Sequence, residues 1–393
     1  MVVRVTELRS DERDGRVERS ARVRWAGGDF LLSVTTPPEL ASGGLDATPF
    51  LCATLLLAMR VGEDLELGGA VSPRLLGRVP RVVDLYATWD PRLHRSRVSA
   101  ESELPPAGRA GGVACFFSRG VDSMFAAAVP RGLPGAITQL VYCDGLEPLH
   151  SPATRVEEVR LAREAARQLG LPLVAIETNL RKLSDPLVRD WGDMAGAGLT
   201  FLANAMAGAF GHVVIPSSAA PTTLIPTGSS PLLDPLFSTE DLEIHHEAPA
   251  TRPAKVAWLA RERPDLLPHL KVCFHEDRPD NCGRCPKCVL TMLSLEAAGA
   301  LPLATGFPPE LDPDAVAAAA PRGLQPREEF RDVERALRAR GATALADHVA
   351  AALARGAAMP VERELRTDSP AFLARVERDA ALARERWRAG HVS

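Results

Sequence analysis

The stretch FFSRGVDSMF, residues 116–125, breaks an apolar run into a short polar loop and then turns apolar again. VACFF before the break reads as a buried strand, and SMFAAAV after it starts a helix. In an open α/β sheet, ligands bind beyond the carboxyl ends of the strands. A strand–loop–helix junction offers free backbone N–H groups and the positive end of a helix dipole there. Gly120 lets the backbone approach a phosphate closely, and the Ser118 and Ser123 hydroxyls can donate to phosphate oxygens. Asp122 would repel a bare phosphate, so its presence points to a Mg²⁺ ion bridging the two.

The flanking sequence extends this pattern. ITQLVYC, PLVAIET and HVVIPSS read as further strands, separated by the helical stretches SPATRVEEVRLAREAARQLG and LTFLANAMAGAFG. Ser151 caps the first of these helices, Pro152 opens it and Gly170 ends it. Such alternation implies right-handed crossovers and an α/β fold, a parallel sheet with helices on both faces.

Two other parts flank this region. Residues 1–105 read as an α+β module. RVTEL, VERSARVRW and DFLLSVT are strands, TPFLCATLLLAMR a helix and DLELGG a strand. SPRLLGRVPRVVDLYATW is a second helix, capped by Ser72, which Pro80 is expected to kink or split. No catalytic pattern stands out in this module. The Pro- and Gly-rich SELPPAGRAGG marks a boundary before the central part, residues 110–300. Residues 301–393 form a helical region with three amphipathic segments, PREEFRDVERALRAR, ATALADHVAAALAR and SPAFLARVERDAALARERWRAG.

Composition excludes several classes. A net charge of −4 over 393 residues argues against a dedicated nucleic-acid binder. FLCATLLLAM, the longest apolar helical run, is about half the length that spans a bilayer, and the charged amino terminus has no signal-peptide core. The expectation is a cytoplasmic protein with no membrane association.

Of seven cysteines, four lie in KVCFHEDRPDNCGRCPKCVLTML, spaced C-x8-C-x2-C-x2-C. Cys273, Cys282, Cys285 and Cys288 suit a closed tetrahedral Zn²⁺ site, with Arg284 and Lys287 favouring the thiolates. An iron–sulfur cluster is the competing reading of four thiolates. Cys52, Cys115 and Cys143 sit in apolar segments and read as core residues.

The S-x-G-x-D-S loop is not the common P-loop, because no Gly-Lys pair occurs in the chain. It resembles the pyrophosphate-binding loop of the ATP pyrophosphatases, usually S-G-G-x-D-S, with Arg119 standing where that family has Gly. Together with the cysteine pattern about 150 residues later, it is similar to 7-cyano-7-deazaguanine synthase and its relatives, over roughly residues 110–300. The resemblance implies an adenine nucleotide alpha hydrolase-like, Rossmann-like domain that binds ATP, Mg²⁺ and Zn²⁺. It implies nucleotide contacts at Ser118, Gly120, Val121, Asp122 and Ser123, with zinc pinning a pocket wall. Arg119 would add a cation near the phosphates, and Lys255, at a Lys-bearing helix start, would contact ligand or act as a base. The family proteins lack so large an amino-terminal module and so long a helical tail, which favours a different substrate. In the expected substrate region Asp234 could orient an amine. Of His245 and His246 at most one should point inward, because neighbours on a strand face opposite ways.

The implied reaction adenylates a carboxylate or amide oxygen, releases pyrophosphate and lets an amine or ammonia displace AMP. Other readings stay open. Sulfur transfer, to tRNA or a small molecule, uses the same loop and needs a reactive cysteine, for which Cys143 is the candidate. A non-catalytic zinc-stabilised module would have a dead loop, with Arg119 as the defect. A protein or peptide acceptor would use the flanking parts as a holder, and a homodimer is compatible with the same segments.

Overall fold

The strand Val113–Phe116 is the centre from which the sheet is laid out. In the computed structural model the described residues are 1–358, apart from 42–43, 131–133, 147–149, 189–190, 218–219, 222–223, 248 and 274–275. Ten strands form one sheet: β1 (Val2–Arg13), β2 (Arg16–Trp25), β3 (Gly28–Thr36), β4 (Asp64–Val71), β5 (Val98–Glu103), β6 (Val113–Phe116), β7 (Gln139–Asp144), β8 (Leu173–Thr178), β9 (His212–Pro216) and β10 (Glu243–Glu247). Their order is β10-β9-β6-β7-β8-β3-β2-β1-β4-β5. Neighbours from β10 to β8 are all parallel, whereas β8–β3, β3–β2 and β2–β1 are antiparallel. β1–β4 and β4–β5 are parallel again, so the sheet is mostly parallel.

Helices flank it: α1 (Thr48–Val61), α2 (Pro73–Trp89), α3 (Val121–Ala128), α4 (Pro152–Leu169), α5 (Leu180–Ser184), α6 (Trp191–Ala205), α7 (Arg252–Glu262) and α8 (Pro286–Ala298). The pleat sends alternate β6 residues to opposite cores. Ala114 and Phe116 join α1, α2 and α6 in one core, while Val113 and Cys115 join α3, α4, α7 and α8 in the other. Over β1–β4 the buried apolar residues all belong to the first core, so helices cover that half on one face.

The seam at 105–110 does not interrupt the sheet. β3 continues into β8 through Val34↔Thr178 and Thr35↔Glu177. Asn179 reinforces the join, accepting from Ser33 N at 2.9 Å and donating to Leu31 O at 2.9 Å. Above it, α1 packs on α6 with the Phe50 and Phe201 rings 5.7 Å apart. The first ~105 residues thus share a core with the region that carries the loop.

Local expectations meet the structure unevenly. Ser72 caps α2 by accepting from Leu75 N, but α2 runs through Pro80 as a single helix. Pro80 is exposed, so the carbonyl that loses its partner faces water, and one helix survives. β5 and α5 are elements beyond the sequence reading: β5 is a polar edge strand, and α5 spans only Leu180–Ser184. The carboxyl-terminal part supplies α9 (Pro313–Ala318), α10 (Leu324–Ala339) and α11 (Thr343–Ala358), packed on α8 around Phe330 and Leu337. The expected third amphipathic helix, within 369–390, lies outside the described residues. No helix among the described residues is long and apolar enough to cross a membrane.

A shared core implies shared cooperativity. Urea unfolding followed by circular dichroism and by tryptophan fluorescence is expected to give one coincident transition. Phe201→Ala should lower stability by about 3–5 kcal/mol in both signals. Separate transitions, with only one moved by the substitution, would show two independent units.

Candidate functional site

The loop after β6 sits where the sheet reverses its winding. From β6 the chain moves out through β7 to β8, then crosses back to β9 and β10 on the other side. The crevice beside β6 is therefore a topological switch point, where the loop ends part and leave room for a ligand. A cavity of about 260 Å³ opens there, lined by Ser118, Gly120, Val121, Asp122 and Ser123. Its walls are apolar at Val141, Tyr142, Leu146, Trp191 and Leu199, and cationic at Arg252, Lys271 and Lys287.

The loop is tied by its own hydroxyls. Ser123 Oγ accepts from Ser118 N at 3.2 Å and donates to Gly120 O at 3.1 Å. Ser118 Oγ accepts from Gly120 N at 3.4 Å. Gly120 is the N-cap of α3 in extended backbone; a Cβ there would come within 3.2 Å of Ser118 Oγ. The first-turn amides of Val121, Asp122 and Ser123 have no carbonyl within their own helix to bond. They and the helix dipole make this end of α3 attractive to an anion.

Asp122 faces two cations. Lys255 Nζ donates to its Oδ1 at 2.7 Å and Arg252 Nη2 to its Oδ2 at 3.1 Å. Burial alone would push this carboxyl up; Arg252 and Lys255 outweigh it and hold it at about 2. Lys255 is buried and also donates to Ser217 O, at 2.5 Å, beyond the end of β9. Arg252 reaches Glu329 of α10 at 3.9 Å, and Thr251 Oγ1 donates to Asp332 at 2.7 Å. The carboxyl-terminal helices thus support the cation that faces the loop.

Arg119 is placed differently from the expected phosphate contact. Its guanidinium lies behind the loop, buried, 3.5 Å from Glu158 and donating to Pro279 O at 3.3 Å, and it is not among the residues lining the cavity. Its backbone carries φ +62°, the left-handed conformation that Gly adopts freely. The turn at this position takes that conformation with Arg119 in it, its side chain buried against Glu158. Glu158 also meets Lys271, at 3.5 Å, and Lys271 donates to the carbonyls of Arg278 and Asp280. Glu158 and Lys271 escaped the sequence reading. The signal was present for Glu158, a charge on the α4 stripe Thr154, Glu158, Ala162, Ala165, all buried.

The four cysteines converge beside the cavity, and Cys273 lines it. Cys273 Sγ is 3.9 Å from Cys285 Sγ, and Cys282 Sγ is 3.8 Å from Cys288 Sγ. All four sulfurs lie within 4.8 Å of one another. A tetrahedral ion with bonds of about 2.3 Å sets its sulfurs about 3.8 Å apart, so this cluster could hold Zn²⁺. Amides of Arg284 and Cys285 point at Cys282 Sγ, at 3.5 and 3.3 Å. Asn281, another unread residue, fixes the approach: its Oδ1 accepts from Val272 and Cys273 amides, and its Nδ2 donates to Leu270 O and Gly306 O.

The remaining candidates separate. His246 Nδ1 meets Asp234 Oδ2 at 2.7 Å, both side chains buried, with Ser229 Oγ donating to the same oxygen at 2.7 Å. His245 points to the opposite face and meets His212 at 3.0 Å. None of Asp234, His245 and His246 lines the cavity. Cys143 does line it, and burial with Asp144 nearby pushes its thiol well above the usual range. No family model, curated protein or solved structure matches the chain.

Arg119→Gly separates backbone from side chain. It removes about 1–2 kcal/mol of left-handed strain but strips Glu158 of one partner, a loss of about 3–5 kcal/mol. The net expectation is destabilisation of about 2 kcal/mol in chemical denaturation. A variant more stable than the natural protein would show that the pair contributes less than the strain it offsets.

Proposed function

We propose that the chain is an ATP-dependent ligase that adenylates a carboxylate or amide oxygen and releases pyrophosphate. One observation carries the reading: the hydroxyl-rich loop opens α3 at the switch point, facing the same cavity as Arg252, Lys271 and Lys287. Among the charged residues lining the cavity, Arg252, Lys271 and Lys287 outnumber Asp122 and Glu158, and that excess of positive charge suits a polyphosphate. The apolar wall of Tyr142, Trp191 and Leu199 suits a flat heterocycle or an acyl group.

In this reading the amides of Val121–Ser123 and the Ser118 and Ser123 hydroxyls bind the β and γ phosphates. Asp122 keeps lone pairs beyond those used by Lys255 and Arg252, enough for one protein ligand to Mg²⁺. Held there by Asp122, Mg²⁺ would supply neutralising charge for the leaving pyrophosphate. An acceptor oxygen attacks the α phosphorus as the bond to the β-phosphate oxygen breaks. The products are an acyl adenylate and pyrophosphate. Ammonia or an amine then attacks the acyl carbon, loses a proton and expels AMP, forming an amide. Zn²⁺ on Cys273, Cys282, Cys285 and Cys288 would stiffen the wall that Cys273 and Lys287 share. With all four positions filled by sulfur it does no chemistry. Sulfur transfer through Cys143 fits less well, because a thiol pushed up by burial is a poor nucleophile at neutral pH. We place the protein in the cytoplasm, where thiols stay reduced.

The test is a screen of small carboxylic acids with ammonium for acceptor-dependent pyrophosphate release. AMP and pyrophosphate are the expected products, and Asp122→Asn, which keeps the side chain's shape, should lower turnover at least about a hundredfold. Formation of ADP and phosphate, or full activity in Asp122→Asn, would overturn the reading.

A further inference from the structure

A second cluster of metal-binding groups lies at the other end of the sheet. His212 is the first residue of β9 and pairs in register with Glu243, the first residue of β10. His245, two residues beyond Glu243, projects to the same face. His212 Nδ1 and His245 Nε2 are 3.0 Å apart, with ring centroids at 5.2 Å and planes tilted by 36°. One ligand atom from each of the three residues falls within 4.8 Å of the other two.

We propose that His212, Glu243 and His245 form a second metal site, for a divalent cation of the Zn²⁺ type, that clamps the edge strand β10 to β9. Two nitrogens bound at about 2.1 Å in a tetrahedral set stand about 3.4 Å apart, so the two rings, now 3.0 Å apart, need part by only about 0.4 Å to take the ion. Two imidazoles and a carboxylate are a donor set that suits Zn²⁺, with further positions left to water. Without an ion, one nitrogen of the pair carries the proton shared between the rings. When the ion binds, that ring takes its other tautomer, and the N–H moves to the far nitrogen. Arg109 Nη1 donates to Glu243 Oε2 at 2.9 Å, so Oε1 is the oxygen offered to the ion. The arginine also orients the carboxylate, as outer partners of metal ligands do.

Position defines what the ion would do. β6 begins at Val113, in register with His212, so the cluster is about five strand residues, roughly 16 Å, from the Ser118 loop. It is remote from the chemistry and close to the segment that leads into β6. Asp241 already holds that segment, accepting from the Ala107 and Gly108 amides at 2.9 Å each. An ion on Glu243 adds a further tie through Arg109. The site is therefore a structural clamp on the sheet edge.

The experiment uses the full chain carrying one equivalent of metal on its cysteines, titrated with Zn²⁺ by calorimetry. A second equivalent should bind with Kd of about 10 μM or tighter and raise Tm. His212→Gln and His245→Gln should each weaken that step at least tenfold, about 1.4 kcal/mol, and leave the first equivalent in place. With Co²⁺, the first equivalent should give strong sulfur charge-transfer absorption and the second only weak bands. Glu243→Ala, a milder change at the strand start, serves if a histidine variant does not fold. No second equivalent, binding weaker than about 10 μM, or equal affinity in the variants would overturn the site.

Discussion

The ion pair between Lys255 and Asp122 is the constraint around which the site is organised. An ammonium as buried as that of Lys255 costs several kcal/mol to desolvate unless strong partners surround it. Its partners come from the loop after β6 and from the chain just beyond β9. Three segments far apart in sequence are thus held in one arrangement. Arg252 adds the second cation and passes the constraint outward to Glu329 and α10. Because the folded Asp122 carboxyl titrates at about 2, below the ordinary value of about 3.9, the pair stabilises the fold above pH ~4. That contribution fades as pH falls towards 2 and is intact throughout the neutral range.

The same logic explains why the flanking parts are not ornaments on a central domain. The β3–β8 pairing covers the edge that β8 would otherwise expose, so the amino-terminal strands also protect the sheet. α1 fills the space over α6, and α6 brings Trp191 and Leu199 to the cavity wall. At the other end of the chain, α10 supports Arg252 by Glu329 and supports the start of α7 by the Thr251–Asp332 hydrogen bond. Both additions bear on the cavity through one or two intermediates.

Much of this was legible in the sequence where the signal is local. Ser72 and Ser151 cap helices by accepting from the third residue on, Gly170 ends α4 in the left-handed conformation, and the loop and cysteines announce themselves by spacing. What stayed hidden depends on distant partners. Nothing around Thr35 states that it will pair with Glu177. The direction of the Arg119 side chain depends on Glu158, and the division of His245 from His246 on what each face of β10 meets. Alternation along a strand foretold that the two histidines would part, but not which would find Asp234.

Hydrogen exchange of the loop amides under added ATP tests whether the opening turn of α3 binds phosphate. Val121, Asp122 and Ser123 hold the first-turn amides of α3, and a phosphate bound there must occupy them. With Mg²⁺-ATP, and equally with pyrophosphate, exchange in the peptide spanning 118–125 is predicted to slow, while AMP alone should have little effect on it. Unchanged exchange at the loop, or protection confined to another part of the chain, would show that this turn of α3 does not hold the phosphates.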